Sequence, residues 1–234
     1  MRWARSELRR GMALALLSFD LDGALVDTAG EIAEAANRAL VEHGWTPQPP
    51  AELALLIGRG GHALMKQLLE RLPPRPVDTA SVLASFDRHY VDTTATTGRP
   101  YPGAREALVL LRARGVRLAC VTNKELKHTR RLLERHGMVA DFELVLGGDS
   151  LPHNKPHASV LRHVAATLGV PLEAMAHVGD SATDVAAARN AGAVAWAVPY
   201  GYDGGEPVAL ARPDRLFAGL PEVADHVLHA RQGG

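Results

Sequence analysis

At 234 residues, 47% of them hydrophobic and 22% charged, the chain is long enough for one large domain or for a core with a small insert. Its 26 basic and 26 acidic side chains cancel, which offers no broad electrostatic surface for nucleic acid or an anionic membrane. The single cysteine, Cys120, cannot form an internal disulfide and suits a reducing cytoplasm.

Residues 1–11 hold four arginines and precede the apolar run Met12 to Leu17. This imitates a signal peptide, but cleavage near Ala15 would cut into the first core strand. A loose tail over 1–11, or an upstream start before Met12, is the expectation. No stretch reaches the roughly 20 apolar residues of a membrane span.

The apolar run reads as a buried strand that ends in Ser18-Phe19-Asp20-Leu21-Asp22-Gly23-Ala24-Leu25-Val26-Asp27-Thr28. Residues i and i+2 of a strand share a face. Asp20 and Asp22 therefore face one cavity as the strand unwinds. Two such carboxylates are costly together unless a cation or a shared proton relieves them. A solvated Asp-Gly turn is the plain alternative.

Thr28-Ala29-Gly30-Glu31 has the spacing of a capping box. Ile32, Ala35, Ala36, Ala39 and Leu40 follow at helical period, and Gly44 ends the run. Leu53 to Ile57 predicts a short helix and Gly58-Arg59-Gly60-Gly61 a turn. Leu64, Met65, Leu68 and Leu69 give a helical stripe closed by Pro73-Pro74. Val82, Leu83, Phe86, Tyr90 and Val91 give another. The block 30–97 carries no strand pattern and is expected to be an all-helical insert. Its crossings to the core are expected at Val26–Gly30 and at Thr96–Gly103, the second rich in Thr, Gly and Pro.

Downstream the pattern alternates. Helices are predicted at Glu106–Arg114, Glu125–His136, Ser159–Leu168 and Ser181–Ala191. Strands are predicted at Val116–Val121, Phe142–Leu146, Met175–Val178 and Ala193–Val198. Alternation with uncharged strand cores implies an α/β fold, a Rossmann-like parallel sheet with helices on both faces. The expected organisation is a core of 12–29 and 98–234 with the helical insert 30–97. Ligands of such sheets bind outside the carboxyl ends of the strands. Asp20-Leu21-Asp22, Thr122-Asn123, Asn154-Lys155-Pro156 and Gly179-Asp180-(x3)-Asp184 would converge there.

These four motifs, in this order, resemble the haloacid dehalogenase superfamily, in particular its phosphoglycolate phosphatase-like group. The resemblance covers nearly all of the chain after Met12. Tyr200-Gly201-Tyr202-Asp203-Gly204-Gly205-Glu206-Pro207 is similar to a Tyr-Gly-Tyr-Asn-x-Gly-Glu segment of that group. Two departures stand out. Ala24 replaces the Thr or Val expected four residues after the first aspartate, which puts rate in question more than reaction type. His157-Ala158 replaces the usual x-Pro.

The resemblance implies a phosphatase in which 30–97 is a cap and Asp20 attacks phosphorus to form an aspartyl-phosphate. Asp22 would protonate the leaving oxygen, then activate water, and lend its backbone carbonyl to the metal. Mg²⁺ would be held by Asp20, Asp22 and Asp180, with Asp184 orienting the metal site. Thr122, Asn123 and Lys155 would meet the phosphoryl oxygens. Read alone, Thr122 suits a helix N-cap and Lys155 an ordinary surface lysine. Arg59 and Lys66 in the insert are candidates for the substrate's carboxylate, against the plainer reading of solvated charges. His153, His157 and His177 lie near the motifs, but a carboxylate-rich site favours Mg²⁺ over a transition metal.

The expected partner is a small phosphate ester, first 2-phosphoglycolate, with no nucleic acid or membrane partner and a monomeric or homodimeric chain. Hydrolysis of a sugar phosphate, a phosphomutase, and a non-catalytic binding or scaffold protein remain as alternatives. A dehalogenase would lack Asp22, and a phosphonate-cleaving relative would need a Schiff-base lysine that Lys66 does not resemble.

Overall fold

The computed structural model describes residues 14–232; the tail expected over 1–11 lies outside them. The chain opens with β1 (Leu16–Phe19), β2 (Val26–Asp27), α1 (Ala29–Glu42), α2 (Pro50–Ala54), α3 (Gly61–Arg71), α4 (Thr79–Thr93) and β3 (Arg99–Pro100). It continues with α5 (Ala104–Ala113), β4 (Arg117–Val121), α6 (Leu126–Arg135), β5 (Leu144–Leu146), α7 (Ala158–Thr167) and β6 (Met175–Gly179). It closes with α8 (Ala182–Ala191), β7 (Val194–Ala197), β8 (Arg215–Leu216) and α9 (Leu220–Gln232).

Six strands form one sheet in the order β5-β4-β1-β6-β7-β8, and every pairing is parallel. Alternation along β1 sorts its side chains to two faces. Leu17 and Phe19 join Leu118, Cys120, Ala176 and Val178 under α5 and α9. Leu16 joins Ala119, Val121 and Met175 under α7 and α8. Both faces are therefore dry, which is why the central strands carry almost no charge. Each fully buried Leu or Phe contributes roughly 1.5–3 kcal/mol. The α/β expectation holds.

Helices α1 to α4 bury a third cluster of their own, with Ile32, Leu40, Leu53, Leu64, Met65, Phe86 and Tyr90 at its centre. The chain passes between this layer and the sheet through a ribbon that the sequence reading lacks. In it β2 pairs antiparallel with β3, Val26 opposite Pro100 and Asp27 opposite Arg99. Strands this short carry no periodic signal. Helix α9 is not among the predicted elements, although Leu220, Val223, Ala224, Val227 and Leu228 recur at helical spacing, and the first four pack with the strand residues of the sheet.

Two local expectations need correction. The box predicted at Thr28–Glu31 does not form. Thr28 Oγ1 donates to Asp22 Oδ1 at 2.7 Å, and Glu31 Oε2 accepts from the amides of Ala95 and Gly98 at 3.0 and 3.1 Å. The first amides of α1 are satisfied instead by Tyr202 Oη, at 2.7 Å from Thr28 N and 2.9 Å from Ala29 N. Thr122 is not an N-cap either, because α6 starts later, with Glu125 in that position. A true capping box stands at α8, where Ser181 and Asp184 bond each other's backbone amides.

Candidate active site

Register brings the motifs to one edge. Phe19 pairs with Cys120 and with Val178, so Asp20, Thr122 and Asp180 leave their strands at the same end of the sheet. This is the ligand edge of an open parallel sheet.

Lys155 is buried and not a surface lysine. Its Nζ lies 2.9 Å from Asp20 Oδ1 and 2.7 Å from Asp184 Oδ1. Asp184 Oδ1 also meets His177 Nε2 at 3.2 Å, and its Oδ2 accepts from Ser181 N at 3.1 Å and Ser181 Oγ at 2.5 Å. Burial pushes Asp184 up, but Lys155 and His177 outweigh it and hold the group far below the usual carboxylate range. His177 is buried, which keeps its imidazole neutral. Its Nδ1 then accepts from Ser18 Oγ at 2.8 Å while Nε2–H donates to Asp184. Asp184 is thus fully engaged by the protein and anchors Lys155.

Asp20 accepts from Leu21 N at 2.8 Å in addition to Lys155. Burial raises it to about 6, with Asp184 and Asp22 adding to the rise and Lys155 opposing it. Asp180 is pushed well above its ordinary value by burial, then by Asp184 and Asp20. One carboxylate oxygen from each of Asp20, Asp180 and Asp184 lies within 4.8 Å of the others. Buried, all-oxygen and short of positive charge, this set fits a hard divalent cation. Backbone packs tightly around it. A Cβ on Gly23 (φ +84°) or on Gly201 would sit 2.1 Å from Asp180 Oδ2, so both loops require glycine.

Asp22 turns away from that cluster. Its Oδ1 takes the Thr28 hydroxyl and sits 2.9 Å from Lys124 Nζ. Lys124 is buried and also donates to the Tyr90 hydroxyl, with its ammonium 4.9 Å from the centre of that ring. Burial opposes the charge on Lys124, but Asp22 and Tyr90 outweigh it, so the ammonium is retained. The sequence reading missed Lys124, although it directly follows Thr122-Asn123. In the sequence Tyr90 is one residue of a helical stripe, with nothing to mark it as a partner of Lys124.

A cavity of about 30 Å³ lies over these groups, room for a water or two. Asp20, Asp22, Thr122, Lys124 and Glu125 line its polar side, and Ile32, Ile57, Leu64, Phe86 and Tyr90 its apolar side. Asn123 shares the wall, but its side chain fastens neighbouring loops. Nδ2 donates to Gly58 O at 2.9 Å and Lys155 O at 3.0 Å, and Oδ1 accepts from Lys155 N at 2.9 Å. Its side-chain amide therefore helps to hold the Lys155 loop in place. Arg59 and Lys66 are exposed and do not line this cavity. Arg59 borders a separate groove with Gln67, Thr183 and Asp203. His153 and His157 stack with ring centres 4.1 Å apart, away from the carboxylates. A second grouping, His62, Asp87 and Glu125, is partly open to solvent.

Comparison with known proteins agrees with this geometry. The family model of the haloacid dehalogenase-like hydrolases matches residues 17–198. A plasmid-encoded phosphoglycolate phosphatase of Cupriavidus necator is 45% identical over 194 residues, 82% of this chain and 84% of that protein. The phosphoglycolate phosphatase of Thiobacillus denitrificans is 38% identical over 209 residues, 88% and 92% of the two chains. The crystal structure of a predicted phosphoglycolate phosphatase from Haemophilus somnus superposes with a TM-score of 0.87 at 29% identity, covering 92% of this chain and 98% of that one. The parallel sheet, the aspartate pair at its edge and these relatives together place the chain in the family of haloacid dehalogenase-like hydrolases.

Proposed function

We propose that the protein is a Mg²⁺-dependent phosphatase that hydrolyses 2-phosphoglycolate through an aspartyl-phosphate on Asp20. The observation that carries this reading is the division of labour between two aspartates on one loop. Asp20 sits with Lys155 among the buried carboxylates, while Asp22 stands apart on the cavity side with its own partners. The names of the relatives above support the substrate.

Asp20 attacks phosphorus, and the bond from phosphorus to the ester oxygen breaks as Asp22 gives that oxygen a proton. A water then attacks the acyl-phosphate, Asp22 takes its proton, and inorganic phosphate leaves with Asp20 restored. Lys155 offsets the charge that builds between Asp20 and the phosphoryl group. Thr122 lines the same cavity, which supports its hydroxyl as a donor to a phosphoryl oxygen. Asp20, the Asp22 carbonyl and Asp180 would hold Mg²⁺, with Asp184 supporting them. The ion supplies charge neutralisation of the phosphate dianion.

We assign residues 30–97 as a cap that opens to admit substrate. The cavity is too small for an organic phosphate as it stands, and the helical layer has its own core joined to the sheet by the β2–β3 ribbon. The buried thiol of Cys120 suits a reducing compartment, and we place the reaction in the cytoplasm. Phosphate release should be measured with Mg²⁺ on 2-phosphoglycolate and a panel of sugar phosphates, beside Asp20→Asn. The expected result is preference for 2-phosphoglycolate, lost to background in the variant. Preference for a sugar phosphate would refute the substrate, and an active Asp20→Asn would refute the mechanism.

A further inference from the structure

The cavity holds an unexplained cation. Lys155 answers the charge of Asp20 and the phosphoryl group. Lys124 belongs to neither, and among the described residues lining this cavity it is the one lysine or arginine. Its ammonium has been carried to a depth where the side chain is 1% exposed. Holding a lysine there costs several kcal/mol of lost hydration unless partners repay it. In the resting structure those partners are Asp22 and the Tyr90 hydroxyl, the first from the sheet edge and the second from the helical layer. Of the other residues that line the cavity, Ile32, Ile57, Leu64 and Phe86 are apolar and Glu125 pairs with Lys127 at 2.9 Å, while Glu31, within electrostatic reach of Lys124, accepts from the amides of Ala95 and Gly98.

Asp22 must be free to exchange a proton with the leaving oxygen, yet it is tied to Lys124. An anion arriving with the substrate would take over the ammonium and release Asp22. The carboxylate carbon of 2-phosphoglycolate lies two covalent bonds from the ester oxygen, on the order of 2.5 Å by ordinary bond lengths. Lys124 Nζ stands 2.9 Å from Asp22 Oδ1, next to the place where Asp22 would meet that oxygen. Arg59 and Lys66, the cations expected for this role, stay exposed outside the cavity.

We propose that Lys124 is the specificity residue of this site. Its ammonium binds an anionic group, a carboxylate two bonds from the scissile ester oxygen, and Tyr90 presents that ammonium from the helical layer. The substrate class is a short phosphate ester with a second negative charge. The identity of that charge as the carboxylate of 2-phosphoglycolate rests on the function proposed above.

The test compares kcat/KM for 2-phosphoglycolate and for its carboxamide, the same size without the charge, in wild type and in Lys124→Met. Wild type should favour the acid by about 10- to 100-fold, the range of one charge-assisted hydrogen bond. In Lys124→Met that preference should fall to within about threefold of unity, chiefly through KM for the acid. Equal losses on acid and amide would overturn the proposal, since Lys124 would then serve Asp22 alone. If Lys124→Met does not fold, Lys124→Gln answers the same question: a surviving preference overturns the proposal and a collapsed one supports it. If wild type ignores 2-phosphoglycolate but hydrolyses another ester, the substrate reading fails separately. The variants are then run on that ester and its uncharged counterpart, where unequal loss supports the role of Lys124 and equal loss overturns it.

Discussion

Replacing Lys155 by Met tests the electrostatics of the site most directly. The substitution keeps the length of the side chain and removes the ammonium that lies 2.9 Å from Asp20 and 2.7 Å from Asp184. Removing one partner of a buried ion pair costs about 3–5 kcal/mol. A chain of this size loses roughly 2–4 °C per kcal/mol, so the melting temperature at neutral pH should fall by about 6–20 °C. The pH dependence fixes the sign. In the wild type Lys155 and His177 hold Asp184 below its ordinary value of 3.8. That stability is present above 3.8 and is lost only as pH falls below it. In the variant the carboxylates lose their cation and take up protons at higher pH. The gap in melting temperature should therefore be widest near pH 8 and should narrow toward pH 5. Differential scanning calorimetry across that range, with chelator present, measures it. A gap under about 2 °C, or one independent of pH, would refute the role given to Lys155.

Four further outcomes follow from the same geometry. Divalent cation at about 100 times its dissociation constant should stabilise the protein by about 2.7 kcal/mol, a rise of roughly 5–11 °C, and Asp180→Asn should abolish the rise. Burial lifts Asp20 from 3.8 to about 6, so its contribution to metal-free stability is full below 3.8 and falls as pH rises through 6. Melting curves in chelator should show that decline, and added metal should flatten it. Gly201→Ala would place a Cβ 2.1 Å from Asp180 Oδ2, costing about 1–3 kcal/mol of stability and weakening metal binding; an unchanged metal titration would contradict the packing described. Tyr202→Phe removes the acceptor of the Thr28 and Ala29 amides and should lower stability by about 1–3 kcal/mol in urea unfolding, because those amides lose their partner.

Ala24 departs from the family pattern, and the structure shows what surrounds it. The residue is fully buried, and its carbonyl accepts from Tyr200 Oη at 2.8 Å. The loop is braced through its backbone by a residue far along the chain.

Much of this protein was legible in one dimension. The strands and helices of the sheet layer follow from local periodicity, because a buried parallel strand must be apolar on both faces and a covering helix on one. The order and spacing of the aspartate, threonine and lysine motifs pointed to the right edge of the sheet and the right family. What the sequence left open are facts of pairing between distant segments. The two-residue strands β2 and β3 exist only because each finds the other. Glu31 and Thr28 abandon a local cap because Gly98 and Asp22, brought in by the fold, make better partners. Asn123 is engaged by loops near residues 58 and 155. Lys124 shows the limit most clearly, since a lysine in sequence is an ordinary surface cation. Only tertiary packing, which seals it between Asp22 of one layer and Tyr90 of another, gives it a site. Local patterns fix what a segment will be, because they depend on neighbours a few residues away. The partners of a buried charge depend on residues about thirty to a hundred positions distant, and nothing short of the folded chain brings them together.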